Sequence, residues 1–268
     1  MATGRTVAKY ARIYVGKIQA DPGLYPAALC GFTRSLGPIK VSFDEIDATG
    51  MCDSIKGYLP GQASINPGPI NVILDPVAAD VGGLYMYPQA SGMGIGTPLL
   101  AQIPIGIRAA PAMGDIVFGG IFPFLGMTYS DDGGLVTVNF DLGDSVATEY
   151  ISDGFGKAWG QLLHAYGEET AANSSAGVDG GAASTNGGLM ILHTFSSDSA
   201  GATYKVQHAD TNVDGSFADL TGAAITIGAG PAAYSYYAYV PKNTAVKRYL
   251  RWQMTAITNT FLMSFIRG

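Results

Sequence analysis

Residues 37–76, GPIKVSFDEIDATGMCDSIKGYLPGQASINPGPINVILDP, constrain the fold more than any other stretch. Ile39, Val41 and Phe43 are apolar on one parity and Lys40, Ser42 and Asp44 polar on the other, the period-two pattern of a half-buried strand. Ile46 is apolar on the formerly polar parity, so the phase slips at Asp44-Glu45, which predicts a bulge or the end of the strand. A second alternating strand, Ile70, Val72 and Leu74 against Asn71 and Asp75, is read as the one that returns, and Pro76 stops it. The excursion between them holds Gly50, Gly57, Pro60, Gly61, Pro67, Gly68 and Pro69, which excludes a helix.

The same economy runs through the chain. Glycine makes up 37 of 268 residues, about twice the usual share of roughly 7%, which favours short strands and tight turns. Charged residues are only 13% while 47% are hydrophobic, so much of the surface is expected to be covered, here by copies of the chain itself. No apolar run is long enough to span a bilayer. The first ten residues lack a signal-peptide core, so synthesis and folding are expected in a cytoplasm. Cys30 and Cys52 sit in unlike contexts without metal-ligand spacing, which fits two reduced thiols and leaves a disulfide or metal pair open.

The formal charge of −6 conceals a polarity along the chain. Residues 1–40 carry +5, residues 41–153 carry −11, and the remainder is balanced. A head-to-tail assembly could set one copy's basic end, with Arg5, Lys9, Arg12 and Lys17, against the next copy's acidic middle; neutralisation within one sheet is the alternative.

Further strands are expected over 12–18, 30–36, 99–107 and 115–129, the last apolar on both parities and so covered by core on one face and a neighbouring subunit on the other. Asp21-Pro22-Gly23 reads as a turn, 77–87 as the best candidate for a single short helix, and 90–97 as a Gly-rich loop lacking the strand, helix and Lys of a phosphate site. Residues 130–134, SDDGG, predict a hairpin turn before the alternating Val136, Val138, Phe140 and Leu142. Residues 168–188 read as a Gly/Ser/Ala-rich loop or linker, or as tight turns within a domain. After 159–165, short strands at 189–196, 204–209, 224–227, 234–241, 246–256 and 260–267 suggest a β-sandwich or jelly roll. Two domains are expected, 1–155 and 156–268.

Little here points to catalysis. His164, His193 and His208 have no ligand-spaced partners and read as structural, and no hydrolase or metalloprotease motif occurs. Asp44, Glu45 and Asp47 lack a calcium-binding loop. No catalytic residue, metal or cofactor is expected, and the chain does not read as an enzyme.

The block F-D-E-I-D-A-T, G-Y-L-P-G-Q and P-G-P-I-N-V-I-L-D, with R-I-Y-V at 12–15 and G-F-T-R-S-L-G at 31–37, resembles the major tail tube proteins of long-tailed bacteriophages over roughly the first 155 residues. The insertion-like D-P-G-L-Y-P-A at 21–27 departs from that pattern. The resemblance implies an all-β tube domain, a β-sandwich or barrel with a long stacking hairpin. It also implies hexameric rings stacked into the tail of the virion, with the tape measure, tail terminator and distal tail proteins as partners. DNA would pass through without specific binding, and no membrane is involved. Through Y-K-V-Q-H-A-D at 204–210, V-K-R-Y-L-R-W at 246–252 and F-L-M-S-F-I-R-G at 261–268, residues 156–268 resemble the accessory sandwich domain of some phage tail and head surface proteins and are expected to decorate the exterior.

On this reading the stacking hairpin carries Met51, Cys52, Tyr58, Leu59, Pro60 and Ile65, and Asp44, Glu45, Asp47, Asp53 and Asp75 face the lumen or the next ring's basic arm. An acidic lining suits a conduit for DNA, since basic residues would hold the phosphates through counterion release. The alternative is a capsid or tail decoration protein that binds carbohydrate through Tyr234, Tyr236, Tyr237 and Tyr239, a row that cross-strand packing also explains.

Overall fold

The computed structural model describes residues 12–18, 27–28, 33–47, 58–73, 95–105, 110–132, 134–144, 159–197, 201–228, 233–255 and 258–268. Among these described residues, nine strands precede the sequence-predicted domain boundary: β1 Tyr14–Lys17, β2 Ala27–Ala28, β3 Thr33–Leu36, β4 Lys40–Asp47, β5 Tyr58–Asn66, β6 Ile70–Ile73, β7 Pro98–Ile105, β8 Ile116–Asp132 and β9 Leu135–Leu142. Nine follow it: β10 Trp159–Glu169, β11 Asn173–Ser174, β12 Val178–Asp179, β13 Gly188–Ser197, β14 Ala202–Ala209, β15 Ala218–Ile227, β16 Tyr234–Val240, β17 Tyr249–Met254 and β18 Asn259–Arg267. The fold is all-β, as the Gly-rich, alternating sequence predicts. A 3-10 turn at Asp214–Ser216 is the only helical piece among the described residues. The boundary at 155/156, the Asp21-Pro22-Gly23 turn, the candidate helix over 77–87, most of the Gly-rich loop and both cysteines lie outside the described residues.

Strands from both halves share one sheet, in the order β16-β13-β18-β10-β8-β7-β1. Each neighbouring pair along it is antiparallel. Six antiparallel steps leave β1 and β16 running the same way, and Ile18 bridges Ser235 in parallel. β2 takes the outer edge of β1 at Tyr14 and Val15, and the Ile18–Ser235 bridge beyond it brings the sheet back on itself, so the seven strands curl into a ring joined at that one point. Alternate residues face the enclosed interior, where Tyr14, Leu100, Val117, Ile121, Leu162, Leu189, Ile191, Leu262 and Ile266 are buried in two clusters.

The outer face of the ring is covered on two sides. Over β1, β7 and β8, residues Ile13, Val15, Leu99, Ile103, Phe118 and Phe122 pack with Ile70 and Val72 of β6, Val138 and Phe140 of β9, and Ile65 of β5. Over β10, β13 and β18, residues Leu163, Met190, Leu192, Phe261, Met263 and Phe265 pack with Tyr204 and Val206 of β14, Ile225 of β15, and Leu250, Trp252 and Met254 of β17. Two sandwiches therefore share a closed ring of strands. β8 belongs to the ring at its start and to the first covering layer at its end, where Phe124 to Asp132 pair with β9 across a register break at Phe124/Gly126.

Several expectations are corrected by this arrangement. Over the part of the apolar stretch 115–129 from Val117 to Ile121 the second face is covered by the chain's own strands, because Val117 packs with Leu162 and Leu262 and Ile121 with Ile191 and Ile266, whereas Leu125 and Tyr129 further along are about half exposed. Of the two readings of 168–188, tight turns within a domain is the one found: Glu168 and Glu169 end β10, Gly188 starts β13, and between them β11 and β12 pair with β17 and Ser184 bridges Val246. Arg248 holds Asp179 there through two hydrogen bonds of 2.8 and 2.7 Å, which keep that carboxyl at about 2, below its usual range. Arg251 faces away from Leu250 and Trp252, as the alternation predicts, yet it is buried. Its guanidinium bonds Gln207 at 2.7 Å and pairs with Asp214, and it lies 4.4 Å from the centre of the Phe217 ring.

Each of the three histidines is held by neighbouring groups. His164 stacks on Phe261 with centroids 3.8 Å apart and contacts Glu169 at 3.1 Å. His208 accepts the Lys247 backbone N–H at 3.4 Å. His193 is fully buried inside the ring, and burial lowers its pKa to about 3 from an ordinary 6.5.

Between those two values the unfolded chain binds a proton at His193 that the folded chain refuses. Stability is therefore complete above about pH 6.5 and falls as the pH drops, by up to about 1.4 kcal/mol per unit. His164 and His208 are also shifted down by burial, and they add to the effect with the same sign. Urea midpoints should be lower at pH 5.5 than at pH 7.5, and His193→Asn should reduce the difference.

Candidate functional site

One element stands apart from the ring and its covers. β4 and β5 form a separate two-stranded antiparallel ribbon, from Lys40↔Asn66 to Asp47↔Tyr58, and neither strand pairs with a third among the described residues. The expected phase slip is a bulge: the register breaks between Phe43 and Glu45, and Asp44 has no direct partner. The partner strand differs from the expectation. β5 lies inside the stretch read as an excursion, whereas β6 turns away to pair with β3 and β9. Pro60 and Gly61 would weaken a central strand, but Pro60 falls beside the bulge, opposite Glu45, in a ribbon with open edges.

The base of the ribbon is clamped. The Gly37 N–H donates to the Pro69 carbonyl at 2.7 Å, and the Gly68 N–H to Asn66 Oδ1 at 2.6 Å, an Asx-type turn. Asn66 Nδ2 in turn donates to the Leu142 carbonyl at 2.9 Å, which ties the ribbon to β9. Gly68 has a φ of +71°, and a Cβ on it would lie 2.8 Å from the Pro38 carbonyl oxygen. Gly68→Ala is expected to destabilise the protein by about 1–3 kcal/mol, read as a lower denaturation midpoint. Beside the clamp lies an open cleft of about 610 Å³ lined by Lys40, Asn66, Leu125, Asp141 and Asp144 together with the clamp residues.

The candidate residues fall into four groups. Asp44, Glu45 and Asp47 lie on β4, and Tyr58, Leu59 and Pro60 on β5, so these six share the ribbon beyond its root. Ile65, expected in the stacking hairpin, is 1% exposed and belongs to the core, pinning the ribbon's root. Arg12 and Lys17 belong to the ring: the Arg12 N–H donates to the Pro104 carbonyl at 3.2 Å, and Lys17 pairs with Leu99 on β7. Arg5, Lys9, Met51, Cys52, Asp53 and Asp75 lie outside the described residues.

The tyrosine row of the carbohydrate alternative is divided by its own alternation. Tyr236 packs with Ala238 against the second core, whereas Tyr237 and Tyr239 take the opposite parity, and Tyr237 is 43% exposed. Among the described residues no group of three His, Cys, Asp or Glu side chains gathers to hold a metal ion. The clamp was missed from the sequence, although Asn-Pro-Gly at 66–68 is a turn signal in its own right.

No family model and no curated protein sequence matches the chain. Among solved structures it is similar to the SPP1 Dit (gp 19.1) protein, described as a paradigm of the hub adsorption apparatus in phages infecting Gram-positive hosts. That likeness has 9% identity, covers 96% of this chain and 99% of that one, and has a TM-score of 0.30. It is also similar to a chain of the phage P2 baseplate in its activated conformation with Ca, at 8% identity, 96% and 98% coverage and a TM-score of 0.33. The same baseplate with Sr gives 8% identity, the same coverage and a TM-score of 0.31. These likenesses run nearly the whole length of the chain but superpose loosely, and the functional reading rests on the chain's own strands and sequence.

Proposed function

We propose that this chain is a structural protein of a bacteriophage tail, without enzymatic activity, whose copies join through the β4–β5 ribbon into rings that stack as a tube. The observation that carries the proposal is the ribbon itself, two strands of eight and nine residues with open outer edges on a rigid base. Unpaired strand edges recruit strands from neighbours, and a head-to-tail contact whose rotation closes gives a ring. Two of the motifs that resemble tail tube proteins fall on this element, F-D-E-I-D on the far half of β4 and Y-L-P-G-Q at the start of β5, and the third, P-G-P-I-N-V, forms the clamp at its base and β6.

The charge polarity is compatible with a head-to-tail contact. Arg12 is level with Pro104, which pairs with Val117, whereas the cleft with Asp141 and Asp144 lies at Leu125, eight strand residues or about 26 Å further along β8. Lys9, three residues before Arg12, has about 11 Å of backbone to span that gap. Arg5, seven residues before Arg12, has about 25 Å, and Lys40 of the same basic segment lines the cleft, so the cleft acids are open both to a second copy and to their own chain.

In the proposed assembly six copies make each ring, and residues 156–268 form the exterior side of the subunit. Tape measure, terminator and distal tail proteins are its partners in the virion, and DNA passes without specific contacts. Asp44, Glu45, Asp47, Asp53 and Asp75 face the lumen or the adjacent ring, with a repulsive range of about 8 Å at physiological salt. Reversing these acids to Lys should slow or stall genome ejection from assembled particles. Unchanged ejection from tails of normal appearance would remove the lumen role.

A further inference from the structure

The strand ring encloses polar atoms that no protein group satisfies. Gln102 on β7 is fully buried, and neither its amide nitrogen nor its amide oxygen has a partner. Ser264 on β18 is equally buried with its Oγ unpartnered. His193 on β13 shares a 2.7 Å hydrogen bond with Ser235 through Nδ1, which leaves its buried Nε2 alone.

Strand register puts all three on the inner face. Gln102 sits between Tyr14 and Gly119, Ser264 between Leu162 and Ile191, and His193 between Leu262 and Ser235. The space is narrow, since a Cβ on Gly119 would lie 3.3 Å from Ile191 Cδ1 on the opposite wall. A dry buried donor or acceptor costs about a factor of ten in the folding equilibrium, and an apolar side chain at any of these positions would avoid that cost.

We propose that the ring interior is a binding site for ordered water, which links Gln102 from the N-terminal strands to His193 and Ser264 from the C-terminal strands. A buried water makes about three hydrogen bonds and needs both donors and acceptors. The amide of Gln102 offers both, the Ser264 hydroxyl can serve as either, and the neutral His193 ring offers one role according to its tautomer. Water is the occupant because it can both donate to and accept from an amide, a hydroxyl and an imidazole, and it is the smallest molecule that does so between walls this close. The bridged waters tie the two halves of the ring together at its centre.

Two measurements test this on the full-length chain. A crystal structure that resolves ordered solvent should show water within hydrogen-bonding distance of Gln102 and Ser264. Gln102→Met, close in volume and without the amide, should lower the folding equilibrium constant about tenfold, because it strands the groups that the water joined. A dry interior in the crystal, or a Gln102→Met variant more stable than the parent, would overturn the proposal, since removing an unsatisfied amide should stabilise. Should that variant fail to fold, Ser264→Ala carries the same test of sign.

Discussion

Phe261→Ala should destabilise the folded protein by about 3–5 kcal/mol, a large part of the roughly 5–15 kcal/mol that holds a typical domain together. Phe261 is fully buried on β18 at the junction of the ring and the second covering sheet. Its ring stacks on His164 at 3.8 Å and meets Tyr204 and Trp252 edge-on at 5.0 and 5.4 Å. Truncation would remove contacts to three aromatic rings at once, and the strands around them are held by backbone ladders that cannot collapse into the gap. Guanidinium unfolding of the two proteins measures the difference. Tyr237→Ala, at a half-exposed position, should cost well under 1 kcal/mol by the same method. A Phe261→Ala variant as stable as the Tyr237→Ala variant would mean that the second sandwich does not pack as described.

Deleting residues 53–64 should abolish polymerisation while leaving a folded, soluble monomer. The deletion removes the far end of the ribbon and most of β5, but it stops short of Ile65, which is rooted in the core, and of Asn66, which holds the clamp to Leu142. The ring and both covering layers pair without β4 or β5, so the thermal transition of the body should move by only a few degrees. Sedimentation and electron microscopy read the outcome. Tubes formed by the deletion variant would show that the ribbon does not join the copies, and an unfolded variant would show that the ribbon is part of the core.

The sequence was most legible where one face of a strand is buried and the other is not. β17 falls close to its predicted position because its alternation is clean, with Leu250, Trp252 and Met254 on one face, whereas β15 begins six residues before the expected 224. The bulge at Asp44 was legible from a single misplaced isoleucine. Pairing was harder to read than strand position. The sequence contains two candidate partners for β4, and Pro60 and Gly61 made the true one resemble a loop. The closed ring was not legible at all, since the apolar run at 115–129 looks the same whether its second face is covered by another subunit or by strands 40 to 150 residues away. Gln102 and Ser264 read as ordinary polar positions, and only closure turns them inward.

The central claim is that copies of this chain assemble through one another's strands, and negative-stain electron microscopy of the purified protein at low and high concentration tests it most directly. The account predicts rings, or stacked tubes with a bore wide enough for duplex DNA, appearing as concentration rises. Single particles at every concentration, under conditions where a tail initiation complex has also been supplied, would contradict it.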